Sequence, residues 1–114
     1  MRLNNIIIND NSTIRDAMER LSICGLGTIF VIDNSKKLVG IITDGDIRRQ
    51  ILIDNDLSIN IKSLMNRNYF CLDIHTEVPE ILARLSNSLK VIPLINKEGI
   101  IIDFATRDRI KTIP

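Results

Sequence analysis

The chain has 114 residues, 45% hydrophobic and 25% charged, which is room for one ordinary folded domain. Fifteen basic and fourteen acidic residues leave a net charge of +1, which argues against a basic nucleic-acid footprint and against an acidic tail. No apolar run approaches the roughly 18 residues of a membrane span, and the apolar run at Ile6-Ile7-Ile8 is too short for a signal peptide. Isoleucine is the anomaly, 23 of 114 residues, against one Tyr, three Phe and no Trp. Its β-branched side chain packs well on a pleated surface, so this excess points to short buried strands. Cys24 and Cys71 make no disulfide framework and read as reduced thiols of a cytoplasmic protein.

The predicted elements follow in order. Ile6–Ile8 is a short strand, and Asn9-Asp10-Asn11-Ser12 a turn, after which Ser12 or Thr13 can cap a helix. Ile14, Ala17, Met18 and Leu21 are spaced as the apolar stripe of that helix, and Gly25 and Gly27 end it. Thr28–Asp33 is a continuous apolar run, the pattern of a strand covered on both faces. Asn34-Ser35-Lys36-Lys37 turns the chain, and Leu38–Ile42 returns as the partner strand. Thr43-Asp44-Gly45-Asp46 opens a second helix that would bury Ile47, Ile51 and Leu52. A polar turn at Asp54–Ser58 and a short helix over Ile61–Met65 lead onward. Then come a strand at Tyr69–Asp73, a helix over Val78–Asn87 with Pro79 in its first turn, strands at Val91–Ile95 and Ile100–Ala105, and a helix from about Arg107.

The order is β-α-β-β-α, twice. Thr28–Asp33 aligns with Val91–Asn96 at an offset of 63, as do Leu38-Val39 with Ile101-Ile102 and Thr43 with Thr106. Upstream the offset is 64, pairing Ile8 with Leu72 and Leu21 with Leu85, so one residue is inserted in the second copy. The expected division is residues 1–57 and 58–114. Each half, at about 55 residues, buries too little surface to be secure alone, so the copies are expected to pack on each other with ligand clefts at the junction.

The tandem arrangement, with Val31-Ile32-Asp33, a polar turn and Leu38-Val39-Gly40-Ile41-Ile42-Thr43-x-x-Asp46, resembles a CBS domain pair, or Bateman module. Ser12–Ala17 is similar to the family's start of its first helix, and Ser63–Asn66 to the entry of a second copy. The resemblance implies an α/β (α+β) fold of two motifs related by a pseudo-two-fold axis. It implies a regulatory role without catalysis in this chain, no required cofactor, AMP, ADP or ATP as a regulatory ligand, and a homodimer. Thr43–Arg49 is similar to the form found in CBS pairs attached to sugar-phosphate nucleotidyltransferases and to arabinose-5-phosphate isomerases. Met65–Asn68 and Ile102–Thr106 look closer to the nucleotidyltransferase form, so the expected partner is an attached catalytic domain of that kind, with neither nucleic acid nor membrane involved.

The residues at Gly40–Arg49 also have a chemistry of their own. A strand end running into a helix start gathers backbone N–H groups that suit phosphate. Thr43 can donate its hydroxyl there, and Asp46 offers only acceptors, which matches a ribose diol. Gly40 and Gly45 would let a ligand approach the backbone, and Arg48 or Arg49 could reach a phosphate. Alternatives stand beside these roles: Thr43 or Asp44 as a plain helix cap, Asp46 and the arginines as a solvated face, Phe30 as core. The family resemblance adds Ser12, Thr13, Ile14 and Phe30 as walls for an adenine. In the second copy Thr106 is kept, but Asp103 stands at the glycine position and Arg109 at the position of Asp46. Without that carboxylate the second cleft lacks its diol acceptor, and one functional cleft per chain is expected. His75 falls in a turn with no companion ligands for a metal. The competing function is a dimerisation module that binds no nucleotide.

Overall fold

The computed structural model describes residues 1–111. It contains two three-stranded sheets, each mixed: β1 (Ile7–Asn9), β2 (Thr28–Ile32) and β3 (Leu38–Thr43) in the first, β4 (Leu72–Asp73), β5 (Ile92–Ile95) and β6 (Ile101–Ala105) in the second. The first strand of each sheet pairs parallel with the second, and the second antiparallel with the third. Helices α1 (Ile14–Cys24), α2 (Asp44–Ile53), α3 (Val78–Arg84) and α4 (Arg107–Lys111) complete two β-α-β-β-α motifs, the α/β fold expected.

The repeat is more faithful in geometry than in letters. Val31 faces Gly40 across the first hairpin, and Leu94 faces Asp103 across the second. The register slips once in each, between Val31 and Ile32 and between Leu94 and Ile95, again 63 residues apart. In the turns, the Asp33 carboxylate accepts from Ser35 N and Lys37 N, and the Asn96 amide oxygen accepts from Glu98 N and Ile100 N. The left-handed turn residue is Lys36 (φ 66°) in one and Gly99 (φ 82°) in the other. Before the first helix of each motif, Asn9 and Asp73 accept from the amide two residues on.

The first compact unit is residues 1–69. Helix α1 turns Ile14, Ala17, Leu21 and Cys24 inward and ends at Gly25, whose φ of 68° only glycine adopts easily. Met18, expected in that stripe, is 36% exposed. Ile6, Ile14, Ile29, Phe30, Ile42 and Ile61 are all fully buried. Each such side chain contributes about 1.5–3 kcal/mol by leaving water. Helix α2 buries only Ile47, and Leu52 is 86% exposed rather than buried. Five residues along an α-helix is about 140° around it, so Leu52 cannot share the inward face of Ile47.

Residues 58–69, grouped by sequence with the second motif, lie in the first unit. They form a strap across it. Ile14 N donates to Ile59 O, Ile61 N to Ser12 O, and Ile41 and Asn66 exchange both backbone bonds. A short 3-10 turn, Ile61–Ser63, is all that forms of the helix expected there. Tyr69 ends the strap by donating its hydroxyl to Leu38 O, which leaves β4 only Leu72 and Asp73.

The second compact unit runs from Phe70, with a core of Ile81, Leu85, Ile92, Leu94, Ala105 and Ile110. Helix α3 stops at Arg84, short of the expected Asn87. Ser86 captures Leu89 N with its own hydroxyl and exchanges backbone bonds with Leu89, so the chain turns where serine competes with the helix.

Candidate functional site

Thr43 ends β3 and caps α2. Its Oγ1 accepts from Asp46 N at 3.2 Å, and the Asp46 carboxylate returns the bond from Thr43 N at 2.8 Å, a complete capping box. The other oxygen of Asp46 accepts from Arg49 Nη2 at 2.7 Å. Asp46 is thus held at a fixed position, its side chain 19% exposed, while Arg49 is 70% exposed. A carboxylate has about four acceptor sites, so two protein bonds leave capacity for a ligand's hydroxyls. Arg49, mostly in water, can release its oxygen as well. Of the two arginines, it is Arg49 and not Arg48 that pairs with Asp46. The three-residue spacing from Asp46 was the available signal, since helix neighbours meet at i and i+3.

The phosphate cradle expected here is partly used by the protein itself. Asp44 N donates to Gly27 O, and Asp46 N is taken by Thr43. Gly40 also has a different job from the expected one. A Cβ on it would sit 2.9 Å from Met65 Sδ and 3.2 Å from Asn66 O, so its bareness admits the strap rather than a ligand. Gly45 lies beside the guanidinium of Arg49.

The other expected contacts are placed less favourably. Phe30 and Ile14 are fully buried and serve the core. Thr13, not Ser12, caps α1, in a second capping box with Asp16. Shallow depressions of the first unit divide the predicted residues. Ser12 lines one of about 210 Å³ beside Asp16 and Arg20, and Thr13 one of about 520 Å³ with Arg15 and Asp56. Arg48 lines a more apolar one of about 430 Å³ between α1 and α2, with Met18, Leu21, Ile47 and Ile51. What the structure does join is Thr43, Asp46 and Arg49.

In the second unit Thr106 Oγ1 accepts from Arg109 N at 3.1 Å, so the cap survives. The return bond cannot form, because a guanidinium accepts nothing. Arg109 instead donates to Asp103 Oδ1 at 2.8 Å and lies 4.4 Å from the centroid of the Phe104 ring.

Among the described residues, Asp56 and Cys71 are displaced from their ordinary range. The Ser58 hydroxyl and amide, both donating to it, hold the exposed Asp56 carboxyl below its usual 3.8. Partial burial pushes the Cys71 thiol above its usual 9.0. Both cysteines are free, and His75 is exposed in the turn after β4. Among the described residues no group of three His, Cys, Asp or Glu could hold a metal ion, and no helix is long and apolar enough to cross a membrane.

A tandem β-α-β-β-α module, with a threonine and an aspartate fixed where the last strand of a motif meets its helix, is the class that fold and site define. Residues 1–53 match the CBS domain family, and the chain as a whole has the fold of a CBS domain pair, or Bateman module. The CBS domains of a transcriptional regulator from Streptococcus pneumoniae superpose with a TM-score of 0.81 at 16% identity, over 99% of this chain and 92% of that one. The CBS domain protein PAE2072 from Pyrobaculum aerophilum, solved with AMP, gives 0.73 at 18% identity, over 96% and 84%. Inosine-5'-monophosphate dehydrogenase of Methanocaldococcus jannaschii is 32% identical over 111 residues, 93% of this chain but 21% of that protein. Arabinose 5-phosphate isomerase KdsD of Salmonella typhi is 38% identical over 50 residues, 44% of this chain and 15% of that protein. The chain therefore spans about a fifth or less of the length of these two relatives.

Proposed function

We propose that the chain is a regulatory module that binds an adenine nucleotide, or a nucleotide-linked metabolite, at the β3–α2 junction and biases an attached enzyme. The observation that carries this reading is the Asp46 carboxylate, held by Thr43 and Arg49 yet with acceptor capacity left for a ribose diol. The Thr43 hydroxyl and the exposed Arg49 side chain stand ready for a phosphate. That a protein of the same fold was solved with AMP supports AMP as the first ligand to try. Regulation then requires only that the attached enzyme's two states bind the nucleotide unequally.

The attached enzyme is read as a sugar-phosphate nucleotidyltransferase, on the resemblance of Met65–Asn68 and Ile102–Thr106 to such pairs. The match to arabinose 5-phosphate isomerase favours a sugar-phosphate isomerase as the second reading. The module is a homodimer in this account, and exposed Leu52 and Ile53, at 86% and 80%, offer apolar surface for that contact.

Calorimetry with AMP, ADP, ATP and S-adenosylmethionine tests the binding. Asp46→Ala is expected to weaken it by about 1–3 kcal/mol, the cost of a lost charged partner. If none of the four binds and light scattering still shows a dimer, the module serves association alone.

A further inference from the structure

The two motifs differ at two positions that touch, and the difference is an exchange of charge. Gly40 and Asp46 in the first become Asp103 and Arg109 in the second. The correspondence is structural, since Gly40 lies opposite Val31 and Asp103 opposite Leu94 at the same step of their hairpins. Thr43 and Thr106 cap the helices that follow, each accepting the amide three residues on. In the first motif the carboxylate sits on the helix and pairs with a guanidinium that is 70% exposed. In the second the guanidinium sits on the helix and pairs with a carboxylate on the strand. Its guanidinium is the more enclosed of the two, 32% exposed at Arg109 against 70% at Arg49, and lies against the Phe104 ring, while Asp103 is 41% exposed.

We propose that the Asp103–Arg109 pair is an internal occupant of the second motif, closing it to a nucleoside and leaving one nucleotide site per chain. The idea rests on the reading of Thr43 and Asp46 as a ribose and phosphate site. The chemistry follows from donors and acceptors. A vicinal diol donates two hydrogen bonds and needs an acceptor on the helix, where Arg109 has none. Asp103 does carry acceptors, but its Oδ1 already takes Arg109 Nη2 and Phe104 N, both at 2.8 Å. Neither change alone restores the first motif's pattern. Arg109→Asp would set two carboxylates together, and Asp103→Gly would leave a guanidinium without its carboxylate. Only the pair Asp103→Gly with Arg109→Asp returns the residues of the first motif, a strand position without a side chain and a helix carboxylate behind Thr106.

Equilibrium dialysis of the full chain with radiolabelled AMP decides it. The unaltered chain is expected to take one AMP, and Asp46→Ala to raise the dissociation constant by about 5- to 160-fold. Two AMP per chain, or one bound by Asp46→Ala with the parent's dissociation constant, overturns the proposal. The double variant Asp103→Gly/Arg109→Asp is expected to take two AMP, and to return to one when Thr106→Ala is added. One AMP in a double variant that melts like the parent overturns it too. Should the double variant not fold, the count in the parent and the dissociation constant of Asp46→Ala still decide. Should the parent take no AMP, the reading of the first motif fails. One AMP in the double variant would then uphold the occupant and none would overturn it.

Discussion

Asp46 does two jobs, and a single substitution cannot separate them. Removing its carboxylate takes away the return bond of the α2 capping box as well as the acceptor offered to a ligand. Asp46→Ala is therefore expected to lower stability by about 1 kcal/mol besides weakening binding, as cap losses do. Arg49→Ala separates them. Its ion pair is mostly in water, so chemical denaturation is expected to register less than about 0.5 kcal/mol. A loss above about 1 kcal/mol would mean that the pair is structural. Asp56 gives an independent test of local geometry. Ser58→Ala should raise its pKa back toward 3.8, followed by NMR titration of the carboxyl carbon. Because the folded pKa is lowered, whatever Asp56 adds to stability is present above that ordinary value and fades as pH falls through the folded one. At this scale the sequence was a partial guide. The pairing of residue types at Thr43 and Asp46 was legible because spacing alone decides a cap. The burial of Phe30 was legible too, from its place in an apolar run, but the packing of Gly40 against Met65 was not, since it depends on what the fold brings from elsewhere in the chain.

Among elements, the two first helices differ in a way that can be engineered. Helix α1 has a full capping box from Thr13 and Asp16, and runs 11 residues. Helix α3 has Glu77 at its cap, no side-chain bond there, and runs 7 residues. Glu80 stands three residues on, where a capping-box partner belongs. Glu77→Thr is thus expected to stabilise the chain by about 0.5–1 kcal/mol, read as a rise in the urea midpoint. An unchanged midpoint would place the weakness of α3 in the Ser86 turn instead. The hairpins offer the converse. Gly99 holds a φ of 82° that an L side chain adopts at a cost, so Gly99→Ala should destabilise by about 1 kcal/mol. The element order was readable because apolar runs, polar turns and Gly stops alternate cleanly. Lengths were not, as α3 and β4 show: serine and tyrosine hydrogen bonds end them, and periodicity carries no record of those bonds.

For the whole molecule, the repeat conceals an asymmetry in how the chain is divided. By letters the copies meet near residue 57, yet the strap through Tyr69 completes the first unit. It supplies fully buried Ile61, covers the start of α1 through Ile59 and Ile61, and adds the paired bonds between Ile41 and Asn66. It also fills the space above Gly40, so Gly40→Ala should push Met65 aside and cost about 1–3 kcal/mol of overpacking. The first unit should accordingly depend on the strap more than on the length of its own motif. A fragment of residues 1–69 is expected to keep helical circular dichroism with a cooperative melt, whereas residues 1–57 should lose both. The added twelve residues bring a buried isoleucine and the partners of backbone groups on α1 and β3, which would otherwise sit unpaired at the edge of a small core. Equal melting of the two fragments would mean that the strap only lies on a unit already complete. A cooperative transition confined to 1–69 would make the β3–α2 junction, with Thr43 and Asp46, part of a unit that ends at Tyr69.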